Sequence, residues 1–214
     1  VWREEQGLGA LAGHSHMADL PRVTFLWVLH FVLPLTSLRY IYVFTCLLMG
    51  PLGMFYLLRH IFGTSYRLQV TSYKLTAFLG SCFYLFNLGT LQQFYAPFEM
   101  FTMQYALLPW IILFSLKYLN EDASKKKSNL LLFSLFTLLA TPQAYAAHLW
   151  YPFFGVFGLF LLLQKSFKKS IVLILLTVVI NSFWLLPNLY YIFTSSNVPK
   201  ESKQNRIFSQ EYRL

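Results

Sequence analysis

Six apolar runs recur along the chain, each closed by polar or charged residues: Leu38–Phe62, Leu75–Asn87, Tyr105–Leu119, Asn129–Ala140, Trp150–Leu163 and Ile171–Tyr191. Ionised side chains are scarce within them, with Arg39 and Arg59 near the ends of the first run. A spanning helix needs about 20 predominantly apolar residues, fewer where polar ends snorkel to the interface. Several runs reach that length once their Tyr, Trp and Asn flanks are included. The pattern predicts an all-α protein, a polytopic transmembrane helix bundle of about six spans. Val23–Leu35 is apolar but short, bounded by Pro21 and interrupted by Pro34, and reads as a re-entrant or interfacial helix near the N-terminus. The expected organisation is an outer loop with acidic residues over 1–22, a helical bundle over 23–193, and the start of an extracytoplasmic segment over 194–214. Position 1 is Val, and both ends of the chain are polar, so a piece of a longer protein is expected. No secretory signal peptide is expected, because the first apolar stretch lacks a basic lead and a small-residue cleavage site.

Composition agrees with a lipid environment. Charged residues are 12% of the chain, against roughly 25% in a soluble domain, while hydrophobic residues reach 57%. The net charge of +9 does not point to nucleic acid, because the basic residues form no water-exposed, aromatic-interleaved face. They collect instead in short loops between runs: Lys125, Lys126 and Lys127 in one, Lys165, Lys168 and Lys169 in another. The positive-inside rule places such loops in the cytoplasm. Alternation then puts Arg59, His60, Arg67 and Lys74 on the same side. Residues 1–20, 88–104, 141–149 and the tail after Tyr191 fall outside, with Glu4, Glu5, Asp19 and Glu99. Cys46 and Cys82 lie in apolar runs without partner spacing and read as packing residues.

Chemistry, if present, belongs to the outer polar groups. Trp2-x-Glu4-Glu5-x-Gly7-x-Gly9 sets two adjacent carboxylates on a glycine-rich stretch, where one can serve as general base or hold a divalent cation. His14, His16 and Asp19 are competent metal ligands but match no strict spacing, and equally suit a solvated loop. Glu99 lies in the aromatic stretch Phe94–Phe101 near Gln92, Gln93 and Gln104. An ionisable group near membrane depth is a functional candidate by default. Its structural alternative is a carboxylate that snorkels or pairs with Arg3, Arg22 or Arg39. Gln143, Tyr145 and His148 follow Pro142, while Asn181, Trp184, Asn188, Tyr190 and Tyr191 surround Pro187. Rings beside amides suit a sugar; they also suit the aromatic belt at membrane interfaces. Pro97, Pro109, Pro142, Pro152 and Pro187 mark outer helix ends where a break can line a cavity.

The order of Met54–Arg59, Tyr84–Asn87, Tyr105–Trp110, Thr141–Tyr145 and Asn181–Asn188 resembles the N-terminal membrane half of a GT-C-type glycosyltransferase. The likeness is to large bacterial membrane proteins of the YfhO-like and arabinofuranosyltransferase-like kinds. It covers nearly the whole chain, through degenerate motifs to which hydropathy contributes. The resemblance implies a polyprenyl-phosphate-linked sugar as donor and an acidic residue of the first outer loop as base, here Glu4 or Glu5. That family often has Asp in this loop, so the choice between the two stays open. On this reading Glu99 positions or neutralises part of the site and Arg22 or Arg39 holds the lipid phosphate. Neither a P-loop nor G-x-G-x-x-G occurs, consistent with a lipid donor. A transporter or lipid flippase, and a non-catalytic envelope assembly protein, are the alternatives.

Overall fold

The computed structural model describes residues 13–65, 70–95, 99–120 and 123–195. Its helices are α1 (Gly13–Ala18), α2 (Leu20–His30), α3 (Leu35–Ser65), α4 (Val70–Phe86), α5 (Leu88–Tyr95) and α6 (Glu99–Asn120). After them come α7 (Ala123–Leu139), a 3-10 turn (Thr141–Tyr145), α8 (Ala147–Leu162) and α9 (Phe167–Ser195). No strand occurs among the described residues, and the six apolar runs are helical but for the end residues Asn87, Ala140 and Leu163.

Three helical stretches are long and apolar enough to cross a membrane: 35–63, 99–120 and 167–194. At about 1.5 Å per residue even the shortest of them exceeds the roughly 30 Å hydrocarbon thickness. α4 and α7 have 17 residues and α8 has 16, about 25 Å each by the same rise. The predicted short helix over Val23–Leu35 is α2, an 11-residue element with Pro21 in its first turn. It is too short to cross and leaves Trp27 and Val28 exposed.

α6 is the central helix. Of its apolar window 61% is buried, against 28% for α3 and α9. Met103, Ala106, Leu107, Ile111 and Phe114 of α6 meet Tyr42 and Cys46 of α3, Phe133 of α7, Phe157 and Leu161 of α8 and Leu173 of α9. The outward faces carry Phe44, Phe83, Val156 and Val179, all exposed. Cys46 is in the core and Cys82 half-buried, both as free thiols.

In lipid the hydrophobic effect does not hold helix to helix; close packing and interhelical hydrogen bonds do. α3 carries a notch of Gly50, Pro51 and Gly53 for this purpose. A Cβ on Gly50 would stand 2.5 Å from the Tyr105 ring, and one on Gly53 2.5 Å from the Trp110 indole. Trp110 Nε1 donates to the Met49 carbonyl at 3.0 Å and Ser81 Oγ to the Pro51 carbonyl at 2.8 Å. Pro109 has no N–H to give the Tyr105 carbonyl one turn earlier. The Tyr84 hydroxyl supplies that missing donor at 2.8 Å, with its ring stacked on Tyr105 at 4.7 Å between centroids. The motifs Tyr105–Trp110 and Tyr84–Asn87 are thus one joint between α4 and α6. Asn87 completes it: its Oδ1 accepts from the Thr90 N–H at 2.9 Å and its Nδ2 donates to the Tyr84 carbonyl at 2.7 Å. That ends α4, caps α5 and folds α5 across the bundle end.

A smaller core of Ala18, Ala144, Trp150, Trp184 and Leu185 closes the same end. Thr141 Oγ1 donates to the Ala18 carbonyl at 3.1 Å, fastening α1 to the 3-10 turn. At the opposite end lie Arg59, Lys117, Lys125 to Lys127 and Lys165 to Lys169, with Lys169 Nζ donating to the Leu119 carbonyl at 2.7 Å. A cation there satisfies end carbonyls and the negative pole of α6.

Candidate functional site

Two structures occupy the end of the bundle where α6 begins: an ion-pair cluster on one side of α6 and a cavity on the other. In the cluster, Arg22 binds Asp19 through Nε to Oδ1 at 2.7 Å and through a second nitrogen to Oδ2, and it also pairs with Glu99. Arg39 Nε meets Glu99 Oε1 at 2.7 Å. Asp19 sits at the N-cap of α2 but makes no side-chain cap bond; its carboxylate turns one helical step to Arg22. Hydrogen bonding to Asp19 outweighs the loss of hydration and holds the Arg22 guanidinium protonated above its ordinary range. The Glu99 carbonyl accepts from Tyr42 at 3.0 Å and from Thr102 at 2.9 Å. Two guanidinium groups against two carboxylates make the cluster neutral, and it ties α2, α3 and α6 together. Of the meanings the sequence left open for Glu99, the geometry matches pairing with Arg22 and Arg39. Arg22 faces two carboxylates, while the Arg39 side chain is 64% exposed.

The cavity measures about 670 Å³ and is lined by Tyr84, Gly89, Gln92, Gln93, Tyr95, Phe101, Gln104, Tyr105, Leu108, Gln143 and Leu149. α5 is one wall, the first turns of α6 a second, and the 3-10 turn with the start of α8 the third. Helical steps of about 100° put Phe101, Gln104, Tyr105 and Leu108 on one face of α6, away from Glu99. No ionised side chain lines the cavity among the described residues. Four amides and four aromatic rings do. Gln104 Nε2, Tyr105 Oη and Gln143 Oε1 are buried without a hydrogen-bond partner among the described residues. Leaving such groups unmet costs about 1–3 kcal/mol each. Amides donate and accept at once, as hydroxyl groups do, and rings cover C–H faces. The chemistry suits a neutral, hydroxyl-bearing group.

Deeper along the same helices lies an apolar groove of about 470 Å³, lined by Leu108, Ile112, Pro152, Phe153, Val156, Phe157 and Phe160. Leu108 borders both spaces. Ile112 is eight residues beyond Gln104, about 12 Å further along α6. The composite is amphipathic, with polar groups at the bundle end and hydrocarbon toward the middle.

The other sequence candidates lie around this composite. Gln143 lines the cavity. Asn181 is behind its wall, bordering a void of about 10 Å³ with Gln104, Thr137 and Thr177. Asn181 Oδ1 accepts from Trp184 Nε1 at 2.8 Å, and Trp184 is fully buried, edge-on to Trp150 at 4.9 Å between centroids. Both belong to the frame that seats the 3-10 turn. His148 is exposed at the start of α8. Tyr151 donates to Asn188 Oδ1 at 2.5 Å. His16 stacks edge-on against Tyr145 at 5.6 Å, and Asp19 is engaged by Arg22. Among the described residues no three of His, Cys, Asp or Glu come together. Glu4 and Glu5, and the side chain of His14, lie outside the described residues. Gln92 and Gln93 are cavity residues that the sequence reading noted only as neighbours of Glu99. Their signal was the gathering of glutamines at one end of the runs.

No family model matches this chain, and neither a curated protein nor a solved structure matches it. The class defined by fold and site is an all-helical protein with three helices long and apolar enough to span a membrane.

Proposed function

We propose that the protein is an integral membrane glycosyltransferase that takes its sugar from a polyprenyl-phosphate donor and passes it to an envelope glycan or lipid acceptor. The observation that supports this reading is the adjacency of an amide-lined cavity and an apolar groove, which share Leu108 as a lining residue. The neutral sugar occupies the cavity against Gln92, Gln104 and Gln143, and the prenyl tail runs down the groove between α6 and α8. All six apolar runs act as spans, with α4, α7 and α8 completed by flanking residues. The basic end faces the cytoplasm and the cavity opens on the extracytoplasmic face. Glu4 or Glu5 is the base, reached from α1, which docks on the 3-10 turn that carries Gln143. Asp19, Arg22, Glu99 and Arg39 form the frame that holds α2 and α3 against α6.

The test is binding of a polyprenyl-phosphate-linked sugar to full-length protein in nanodiscs. Gln104→Leu and Gln143→Leu each weaken binding about tenfold, the effect of one lost hydrogen bond that leaves a sugar hydroxyl unmet. Polyprenyl phosphate without the sugar binds wild type and both variants alike. Equal affinity of all three proteins for the sugar-bearing lipid contradicts the assignment of the cavity.

A further inference from the structure

At the opposite end of the bundle, a second cavity of about 440 Å³ opens between α3, α4 and α6. Its lining is Tyr56, Arg59, His60 and Gly63 from α3, Tyr73 from α4, and Leu113 and Lys117 from α6. None of the described lining residues is acidic. Basic residues at span ends ordinarily stand out into water, as exposed Lys125, Lys127, Lys165 and Lys168 do. Arg59 is exposed as they are, but it shares one recess with half-buried Lys117 from a different helix. Lys117 lies half-buried over the Phe114 ring, 5.5 Å from its centroid, which fixes the ammonium beside the recess instead of letting it extend. Tyr56 packs on Trp110 at 5.6 Å, a rigid wall. A Cβ placed on Gly63 meets nothing within 4 Å, so that side stays open.

Like charges gathered in a recess with low-dielectric walls repel unless an anion sits among them. The donors on hand are a guanidinium fork, an ammonium and two phenols, which between them can satisfy the several oxygens of a phosphoryl group. Basic recesses between membrane helices take phospholipid headgroups by this chemistry. We propose that this cavity binds a phosphoryl group, supplied by an anionic phospholipid headgroup or by free phosphate. The site is independent of the sugar-binding reading, being at the other end of α6.

The experiment uses full-length protein in phosphatidylcholine nanodiscs and follows the thermal midpoint in two titrations, one of phosphatidylglycerol content and one of inorganic phosphate. Wild type is stabilised by one of the two, and which one identifies the source. The double variant Arg59→Gln/Lys117→Gln requires on the order of tenfold more of that component, as expected for lost charge-assisted contacts. Lys125→Gln/Lys127→Gln, with the same change in charge, responds as wild type does. Tyr73→Phe keeps the ring and removes one donor, so its weaker response reports on the site even if the charge variant folds poorly. The proposal is overturned if neither component stabilises wild type, if both double variants lose the response equally, or if Tyr73→Phe and Arg59→Gln/Lys117→Gln both keep it in full.

Discussion

Replacing Arg22 with Met is expected to lower the unfolding free energy by about 3 kcal/mol or more, the range for a buried ion pair broken from one side. The side chains of Arg22, Asp19 and Glu99 are only 14%, 7% and 20% exposed. Removing Arg22 leaves the buried Asp19 carboxylate without its partner, and leaves the Glu99 carboxylate with Arg39 alone. Arg39→Met removes the same formal charge from a side chain that is 64% exposed. Its cost is at most about 1 kcal/mol, because a solvated ion pair gains little over hydration. Thermal or detergent unfolding of the two variants at neutral pH and moderate salt compares them directly. Equal losses would show that the cluster is solvated throughout, contrary to its burial.

Glu4→Gln and Glu5→Gln are expected to separate binding from turnover in the proposed transferase. One of the two should lose about a hundredfold or more in sugar transfer, the lower range of general-base contributions, while its affinity for the lipid-linked sugar stays at the wild-type level. Glutamine keeps the size of the side chain and cannot take a proton, so folding and donor binding have no reason to change. Seven residues lie between Glu5 and Gly13, where α1 begins, and the chain from one to the other spans at most about 29 Å. α1 is fastened through Thr141 to the 3-10 turn that carries Gln143. Glu99→Gln should act on stability, because Glu99 faces two arginines across α6 from the cavity. Unchanged transfer in both loop variants would remove the base from this segment. Binding of the donor with no transfer by wild type would favour a flippase or transporter.

The helices were legible because each apolar run is bounded by polar or charged residues; the pattern needs no tertiary knowledge. The short α2 was legible in part: Pro21 falls in its first turn, but the helix stops at His30, and residues 31–34 turn the chain into α3. What the runs could not show is rotation about each helix axis. Glu99 and Gln104 stand five residues apart and were read together; in space they lie on different sides of α6, one on an arginine clamp and one on the cavity. Trp184 and Asn181 read as sugar contacts because rings beside amides serve sugars. Here the indole N–H and the amide oxygen satisfy each other at 2.8 Å inside a closed core. The proline motif was legible as a break but not in its consequence. Only the three-dimensional neighbour Tyr84 explains how the carbonyl freed by Pro109 is satisfied and why Tyr105 forms a cavity wall. The basic recess was hidden because Arg59 and Lys117 are distant in sequence, Arg59 reads singly as a span-end charge, and nothing in the sequence singles out Lys117.

The claim on which the functional proposal depends is that one amphipathic ligand occupies both the amide cavity and the apolar groove. A polyprenyl-phosphate-linked sugar carrying a diazirine midway along its tail tests this when photolysed with full-length protein in nanodiscs and mapped by peptide mass spectrometry. The expected labels fall on α6 and α8, at Ile112, Val156 and Phe160, and disappear with excess unlabelled donor. Labels that concentrate instead on Phe25, Val28 and Leu138, in the separate apolar groove beside α2, or that spread around the bundle and resist competition, would contradict it.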